Sequence, residues 1–201
     1  MAMDSKQKAF ADEMAGYIQT YAPKYNIAIC SPILAQACLE SGWGTSELAV
    51  NANNYFGLKY REKRCPTACG TYVKIGSEQN ADGSYHSDVM EWFKFASRKD
   101  CVIGYFDFTN TPNYLNLKGV TSPEQYLKNI RADKYASSLD YVSKVMNVLN
   151  LYNLTQYDKV LSPLYSVQVG KYTSRKDAEE TVKKLNRAGF QGVIVESKSI
   201  T

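Results

Sequence analysis

Histidine is almost missing from this chain: His86 is the only one in 201 residues. Zinc centres draw on clustered His and Cys, and beyond Cys65 and Cys69 no cysteine pair lies at ligand spacing, so neither a metal nor any other cofactor is expected. Also lacking is any run of about 18 apolar residues, which excludes a membrane-spanning helix and leaves no membrane partner to expect. The amino end, Met1 to Lys8, is polar and enters a helical pattern directly, so the apolar segment of a secretory signal is absent too. Either an export signal has been removed or the protein leaves the cell by another route. Charge of one sign is scarce: 24 basic residues face 20 acidic ones for a net +4, which gives no indication of nucleic acid binding. Residues 165–201 are the more basic part, with seven basic against four acidic residues. That bias suits adhesion to an anionic surface and equally suits a solvated helix face.

Five cysteines is an odd number, so at least one is free or pairs between chains. Cys30, Cys38 and Cys101 stand among apolar residues and read as small core side chains. Cys65 and Cys69, separated by Pro66, Thr67 and Ala68, fit a local disulfide and two reduced thiols equally well. What the chain does have is an ordinary globular composition, 44% apolar and 22% charged, in a length that holds one domain of about 150 residues and a small appendage.

Helical spacing of Phe10, Met14, Tyr17, Ile18 and Tyr21 predicts a first helix from Ser5 to Tyr21, ended by Pro23. A second carries Glu40, and a short third runs from Thr45 or Ser46 toward Val50. Between Gly70 and Phe95 the period changes to that of a β-hairpin, with Asn80–Ser84 as its turn. Ser97 and Asp100 form a capping box ahead of Val102, Ile103, Tyr105 and Phe106, and Ser122-Pro123 opens a further helix. A last long helix follows Ser137 or Ser138, with Tyr141, Val142, Val145, Met146 and Leu149 at three and four residue steps as its packing face. The pattern lapses over 154–164 and restarts: Tyr165–Val169 alternates like a strand, Ser174 to Asp177 caps a helix ended by Gly189, and Phe190–Val195 alternates again. The expected organisation is thus a catalytic domain over 1–153, a linker over 154–164 and a β-α-β module over 165–201.

The most informative stretch is Ile33 to Ser46, followed by Asn53 to Lys59. Ile33, Leu34, Ala37 and Cys38 make an apolar helix that ends in Glu40, and Gly42 and Gly44 then stop it and leave Trp43 free to line a groove. A carboxyl group held against apolar and aromatic surface has its charged form disfavoured, which suits a general acid in glycosidic cleavage. The bland alternative is a helix-end glutamate in a surface salt bridge.

Glu40-Ser-Gly-Trp-Gly-Thr-Ser46 with Asn54-Tyr-Phe-Gly-Leu-Lys59 resembles the signature of the family 73 glycoside hydrolases, endo-β-N-acetylglucosaminidases of bacterial peptidoglycan, over roughly residues 5–152. The resemblance implies an α+β fold, a lysozyme-like and mainly helical catalytic domain with a β-hairpin, and peptidoglycan as the partner. It assigns Glu40 as the acid and, from the family's hairpin glutamate, Glu78 as the base that activates water; Glu62, Asp82, Asp88 and Glu91 are lesser candidates. Tyr135 matches a family tyrosine of the cleft, although Tyr135-Ala-Ser-Ser138 stands where the family often has Tyr-Ala-Thr-Asp. Trp43, Tyr55 and Phe56 are candidate sugar-stacking or cleft-shaping residues, with the core the better reading for Phe56, and Asn54 and Lys59 are expected to order the turn and the cleft floor. The Tyr165-Ser-Val-Gln-Val-Gly170 opening of the tail resembles the SPOR domain, a peptidoglycan-binding module, but supplies only one of its two β-α-β halves, so a homodimer through this module is one expectation and a truncated remnant the other. The rival functions are a muramidase or lytic transglycosylase using Glu40 alone, and a non-catalytic wall-binding protein. A bacteriophage endolysin released by a holin from the host cytoplasm, or an autolysin secreted to the cell wall, would both fit.

Overall fold

Eight consecutive residues of one helix, Ser31 to Cys38, are buried, and the helices over 5–21, 123–132 and 141–151 pack against it. The computed structural model describes residues 2–79, 85–136, 138–158, 169–190, 192 and 194, with side chains 75–79 and 85–88 excepted. The chain divides into two units, Met1–Ser162 and Pro163–Thr201.

The first unit opens with α1, Ser5–Tyr21, whose Phe10, Ala11, Met14, Ala15 and Ile18 face the core as the spacing predicts. A capping box closes its start: Asp4 accepts from the Gln7 amide, and the Gln7 side chain accepts from the Asp4 amide. A 3-10 turn over Ala22–Tyr25 leads to α2, Ser31–Ser41. The cap of α2 comes from far along the chain, because one Asp158 carboxylate oxygen accepts from the Cys30 and Ser31 amides at 2.9 and 2.6 Å. Next come α3, Glu47–Ala52, capped by Ser46, and the hairpin of β1, Gly70–Gln79, with β2, Tyr85–Lys94. The helices α4, Arg98–Thr109, α5, Pro123–Ala132, and α6, Tyr141–Leu151, complete the unit.

The hairpin is antiparallel, in register from Gly70 opposite Lys94 to Gln79 opposite Tyr85. Its base is tied to the helices by the Phe93 amide bonding Leu58 O at 3.0 Å and the Phe95 amide bonding Ala52 O at 2.8 Å. Phe93 and Phe95 are buried, whereas Val73 and Val89 farther along are 54% and 65% exposed. Farther along, Tyr72 and Lys74 of β1 bind the Glu47 carboxylate of α3. The expected turn of the hairpin, Asn80–Ser84, lies outside the described residues.

Three expectations are revised. The Ser97–Asp100 box is only half formed: Ser97 Oγ accepts the Asp100 amide at 3.2 Å, but the Asp100 carboxylate takes up the Ser97 hydroxyl hydrogen itself. The last long helix, α6, starts at Tyr141, several residues after Ser138, because Arg131 Nε donates to Ser138 O and ties that segment back onto α5. The linker expected over 154–164 is docked for its first five residues. Leu154 is buried, Tyr157 O accepts from Gln19, and Asp158 caps α2.

All five cysteines are free thiols, Cys69 exposed and the rest buried. Burial pushes the Cys65 thiol up to about 12 and the Cys30, Cys38 and Cys101 thiols higher still, so these are inert core groups. Among the described residues no helix is long and apolar enough to cross a membrane, and no cluster of His, Cys, Asp and Glu could hold a metal.

In the second unit α7, Arg175–Arg187, follows Ser174, which sits at the cap position without making a side-chain cap bond. Gly189, at φ +87°, ends it, and Val182 and Leu185 approach Gly192. Tyr165–Val169 and Phe190–Val195, the expected strands, lie largely outside the described residues.

Candidate active site

Glu40 is the next-to-last residue of α2, and the chain turns away from it through three left-handed residues in succession: Gly42, Trp43 and Gly44, at φ +55°, +59° and +82°. Glycine takes this conformation at no steric cost, and at Gly44 it is also required by space, since a Cβ there would meet the Phe10 ring at 2.8 Å. Trp43 has no such freedom and is held by its amide bond to Cys38 O at 2.9 Å and by edge contacts with the Tyr152 and Phe10 rings. It remains half-buried, with surface left for a ligand.

The second motif folds back against the first. Asn54 is buried and closes the loop with three hydrogen bonds, donating to Leu58 O and Phe93 O at 3.0 and 2.9 Å and accepting from the Leu58 amide at 3.0 Å. That closure places Gly57, at φ +63°, against the acid: a Cβ on Gly57 would lie 3.6 Å from Glu40 Oε2. On the other side stand two tyrosines. Tyr141 bonds the Glu40 carboxyl through its hydroxyl, and Tyr135 donates to Phe56 O at 2.7 Å while its ring meets those of Tyr105, Phe108 and Tyr141.

Glu40 thus keeps solvent access while its carboxyl is hemmed in by protein atoms. Their desolvating effect raises its pKa above the ordinary glutamate value, and the Tyr141 hydrogen bond opposes the rise without cancelling it. Among the described residues no cation pairs with it. Burial also pushes the Tyr135 and Tyr141 hydroxyls far up, reinforced at Tyr135 by Tyr141 and Glu40 and at Tyr141 by Glu40, so both stay protonated. The arrangement can hold a proton on a carboxyl group above the pH at which free glutamate loses it, next to open surface.

The fold brings Tyr135 within reach of the Glu40 charge, whereas the Trp43 ring packs on Tyr152, at the far end of α6 from Tyr141. Tyr55 and Phe56 are not available for sugar stacking, because both are buried: Tyr55 receives Arg98 Nε on its hydroxyl and Phe56 packs on Tyr105 at 4.4 Å between ring centres. Asn54 likewise is enclosed and serves the loop. Lys59 has an exposed side chain and pairs by backbone with Trp92 in β2. Glu78 stands opposite His86 toward the far end of the hairpin, with its side chain outside the described residues, as are Asp82 and the side chain of Asp88. Glu62 is exposed beside Lys63, and Glu91 is exposed. Sequence reasoning missed Gly57, Tyr141 as a partner of Glu40, and Gln36. Only Gln36 carried a signal, as an uncharged polar residue inside an apolar helical run, which must find a buried partner.

Residues 15–154 match the family model described as mannosyl-glycoprotein endo-β-N-acetylglucosaminidase, and residues 130–196 match the SPOR domain model, which reaches back through α6 to the end of α5. The exo-glucosaminidase LytG of Bacillus subtilis is 29% identical over 82% of this chain and 58% of its own length. An autolysin of Enterococcus faecalis is 28% identical over 74% of this chain and 20% of its own length. The chain therefore spans less than two thirds of these curated relatives. Two solved structures share the fold: the catalytic domain of the autolysin Auto from Listeria monocytogenes, with a TM-score of 0.64 at 24% identity over 78% of this chain and 90% of that one, and a peptidoglycan hydrolase mutant from Sphingomonas sp. A1, with 0.60 at 22% over 74% and 96%. The expectation of a lysozyme-like, mainly helical domain with a β-hairpin is met, and the chain belongs to the glucosaminidase family.

Proposed function

We propose that this protein hydrolyses peptidoglycan at the β-1,4 bond after N-acetylglucosamine, with Glu40 as general acid and Glu78 as the base that activates water. The observation that carries the reading is the raised pKa of an accessible Glu40 between two tyrosines and the backbone of Gly57. A protonated carboxyl in that setting delivers its proton to the leaving oxygen as the glycosidic bond breaks, and the vacated negative charge is received by the Tyr141 hydroxyl. The Tyr135 hydroxyl hydrogen is committed to Phe56 O, so Tyr135 contributes an acceptor lone pair and an aromatic wall. Trp43 offers its exposed part to a pyranose face.

Glu78 is supported by the likeness of its hairpin to the family's, which carries a glutamate there, and by its register opposite His86 beyond the base of the hairpin. A carboxyl separation of about 6.5–9.5 Å in the substrate complex would give inversion and about 5 Å retention. The 163–201 unit is proposed to hold the enzyme on the wall, in line with the SPOR match, and pairing of two such units would complete the second β-α-β half.

The test is clearance of purified Gram-positive walls by wild type, Glu40→Gln and Glu78→Gln, with the product ends identified. Removing the acid should lower activity at least about 10²-fold, and the new reducing ends should be N-acetylglucosamine. Products ending in 1,6-anhydromuramic acid would assign a lytic transglycosylase instead, and undiminished clearance by Glu40→Gln would move the active site elsewhere.

A further inference from the structure

Behind Glu40 runs a string of buried polar side chains that the proposed reaction does not use directly. Gln36, one turn earlier on α2, is fully buried; its Nε2 donates to the Tyr141 hydroxyl at 2.8 Å and its Oε1 accepts from the Tyr105 hydroxyl at 2.9 Å. The Tyr105 and Tyr126 hydroxyls are 3.0 Å apart, and both residues are fully buried. Proton counting fixes the direction. Tyr105 has one hydroxyl hydrogen, which Gln36 Oε1 takes, so Tyr126 must donate to Tyr105. At the other end Tyr141 receives the Gln36 N–H on its oxygen, which leaves its own hydrogen for Glu40.

Every bond therefore points one way, from Tyr126 on α5 through Tyr105 on α4 and Gln36 on α2 to Tyr141 on α6 and the acid. Turning the Gln36 amide over would reverse the string: its carbonyl would take the Tyr141 hydrogen, and Glu40 would lose its donor. The far end opposes that turn: in the reversed string Tyr105 would accept from Gln36 and donate to Tyr126, whose own buried hydrogen would then have no acceptor among the described residues.

We propose that Gln36, Tyr105 and Tyr126 are positioning residues for Glu40, a one-way hydrogen-bond string that keeps the Tyr141 hydrogen aimed at the carboxyl. The proposal rests on Glu40 as the general acid. The groups facing Glu40 are Tyr141 from α6, Tyr135 from the segment between α5 and α6, and the backbone of Gly57; among the described residues no other charged group acts on it. A purely structural string would only satisfy buried polar atoms, and breaking it would cost stability without touching the ionisation of Glu40.

The experiment follows the Glu40 side-chain carboxyl by ¹³C NMR through a pH titration of the full chain, assigned with Glu40→Gln, in wild type, Tyr105→Phe and Tyr126→Phe. Tyr105→Phe removes a single oxygen and frees the amide to turn, so the Glu40 ionisation constant should fall about fivefold, the equivalent of one net hydrogen bond. Tyr126→Phe, at the far end, should lower it in the same direction by less, and keeps the test open should Tyr105→Phe not fold. The alkaline limb of kcat should move up in pH in parallel, with KM unchanged. An unaltered Glu40 titration in these variants, alongside a lowered melting temperature, would overturn the string as a positioning device. Since the titration reads Glu40 without turnover, its outcome stands apart from wall clearance by Glu40→Gln, which judges the catalytic assignment.

Discussion

At the scale of single residues, the environment that fits Glu40 for acid catalysis also makes it a burden on the fold. Its raised pKa means the folded protein binds this proton more tightly than the unfolded chain does. Folding is therefore most favourable below the ordinary glutamate value and loses stability as pH rises through the raised one. Glu40→Gln, which cannot ionise, should melt at a higher temperature than wild type at about pH 8, with the difference shrinking toward about pH 4. A calorimetric series that shows no such convergence would contradict the burial of the carboxyl. Gly44 poses a different constraint, one of space and backbone together. Gly44→Ala sets a methyl 2.8 Å from Phe10 at φ +82°, and the two faults should cost about 2–4 kcal/mol, read as a lower midpoint in urea. The Trp43 turn, and with it the exit of the chain past Glu40, would shift.

At the scale of elements, the cap of α2 shows where sequence and structure part. The span and inward face of α1, the start and much of the apolar face of α4 and the start of α5 were legible because apolar spacing and Ser or Pro starts are local signals. Glu40 and the Gly42–Gly44 turn were legible for the same reason. Asp158 was not: it lies in a stretch read as linker, and its role is a contact with residues more than a hundred positions earlier. Tyr141 was read as a packing residue, and its bond to Glu40 joins two helices that no periodicity relates. Tyr55 looked like a cleft aromatic because its motif sits beside the acid, but the loop closed by Asn54 turns it inward. Asp158→Ala removes the acceptor for two amides at the positive end of α2, and should destabilise the unit by about 1–2 kcal/mol. Glu40 lies at the other end of that helix, so activity measured well below the melting temperature should hold, and a loss there with unchanged stability would contradict a capping role.

At the scale of the whole molecule, the proposed function assigns cleavage to the first unit and retention on an insoluble substrate to the second. Every residue of the candidate site lies in Met1–Ser162, and this unit has its own core and its own capped helices. Among the described residues of Pro163–Thr201 the largest element is α7, which buries none of its residues fully, while Leu185 and Val182 lean on Gly192. So small a unit adds little to stability but carries seven basic residues against four acidic ones over 165–201. If it serves as the wall anchor, its worth is effective concentration: a catalytic domain tethered to the polymer meets glycan strands far more often than a free one. Deleting 163–201 should therefore leave the melting temperature and the cleavage of soluble glycan fragments nearly unchanged while lowering retention on sedimented walls and slowing their clearance. If charge contributes to anchoring, retention of the full chain should fall with salt, since exposed charges are screened beyond about 10 Å at 0.1 M ionic strength. Equal retention with and without the unit would place wall binding in Met1–Ser162 itself.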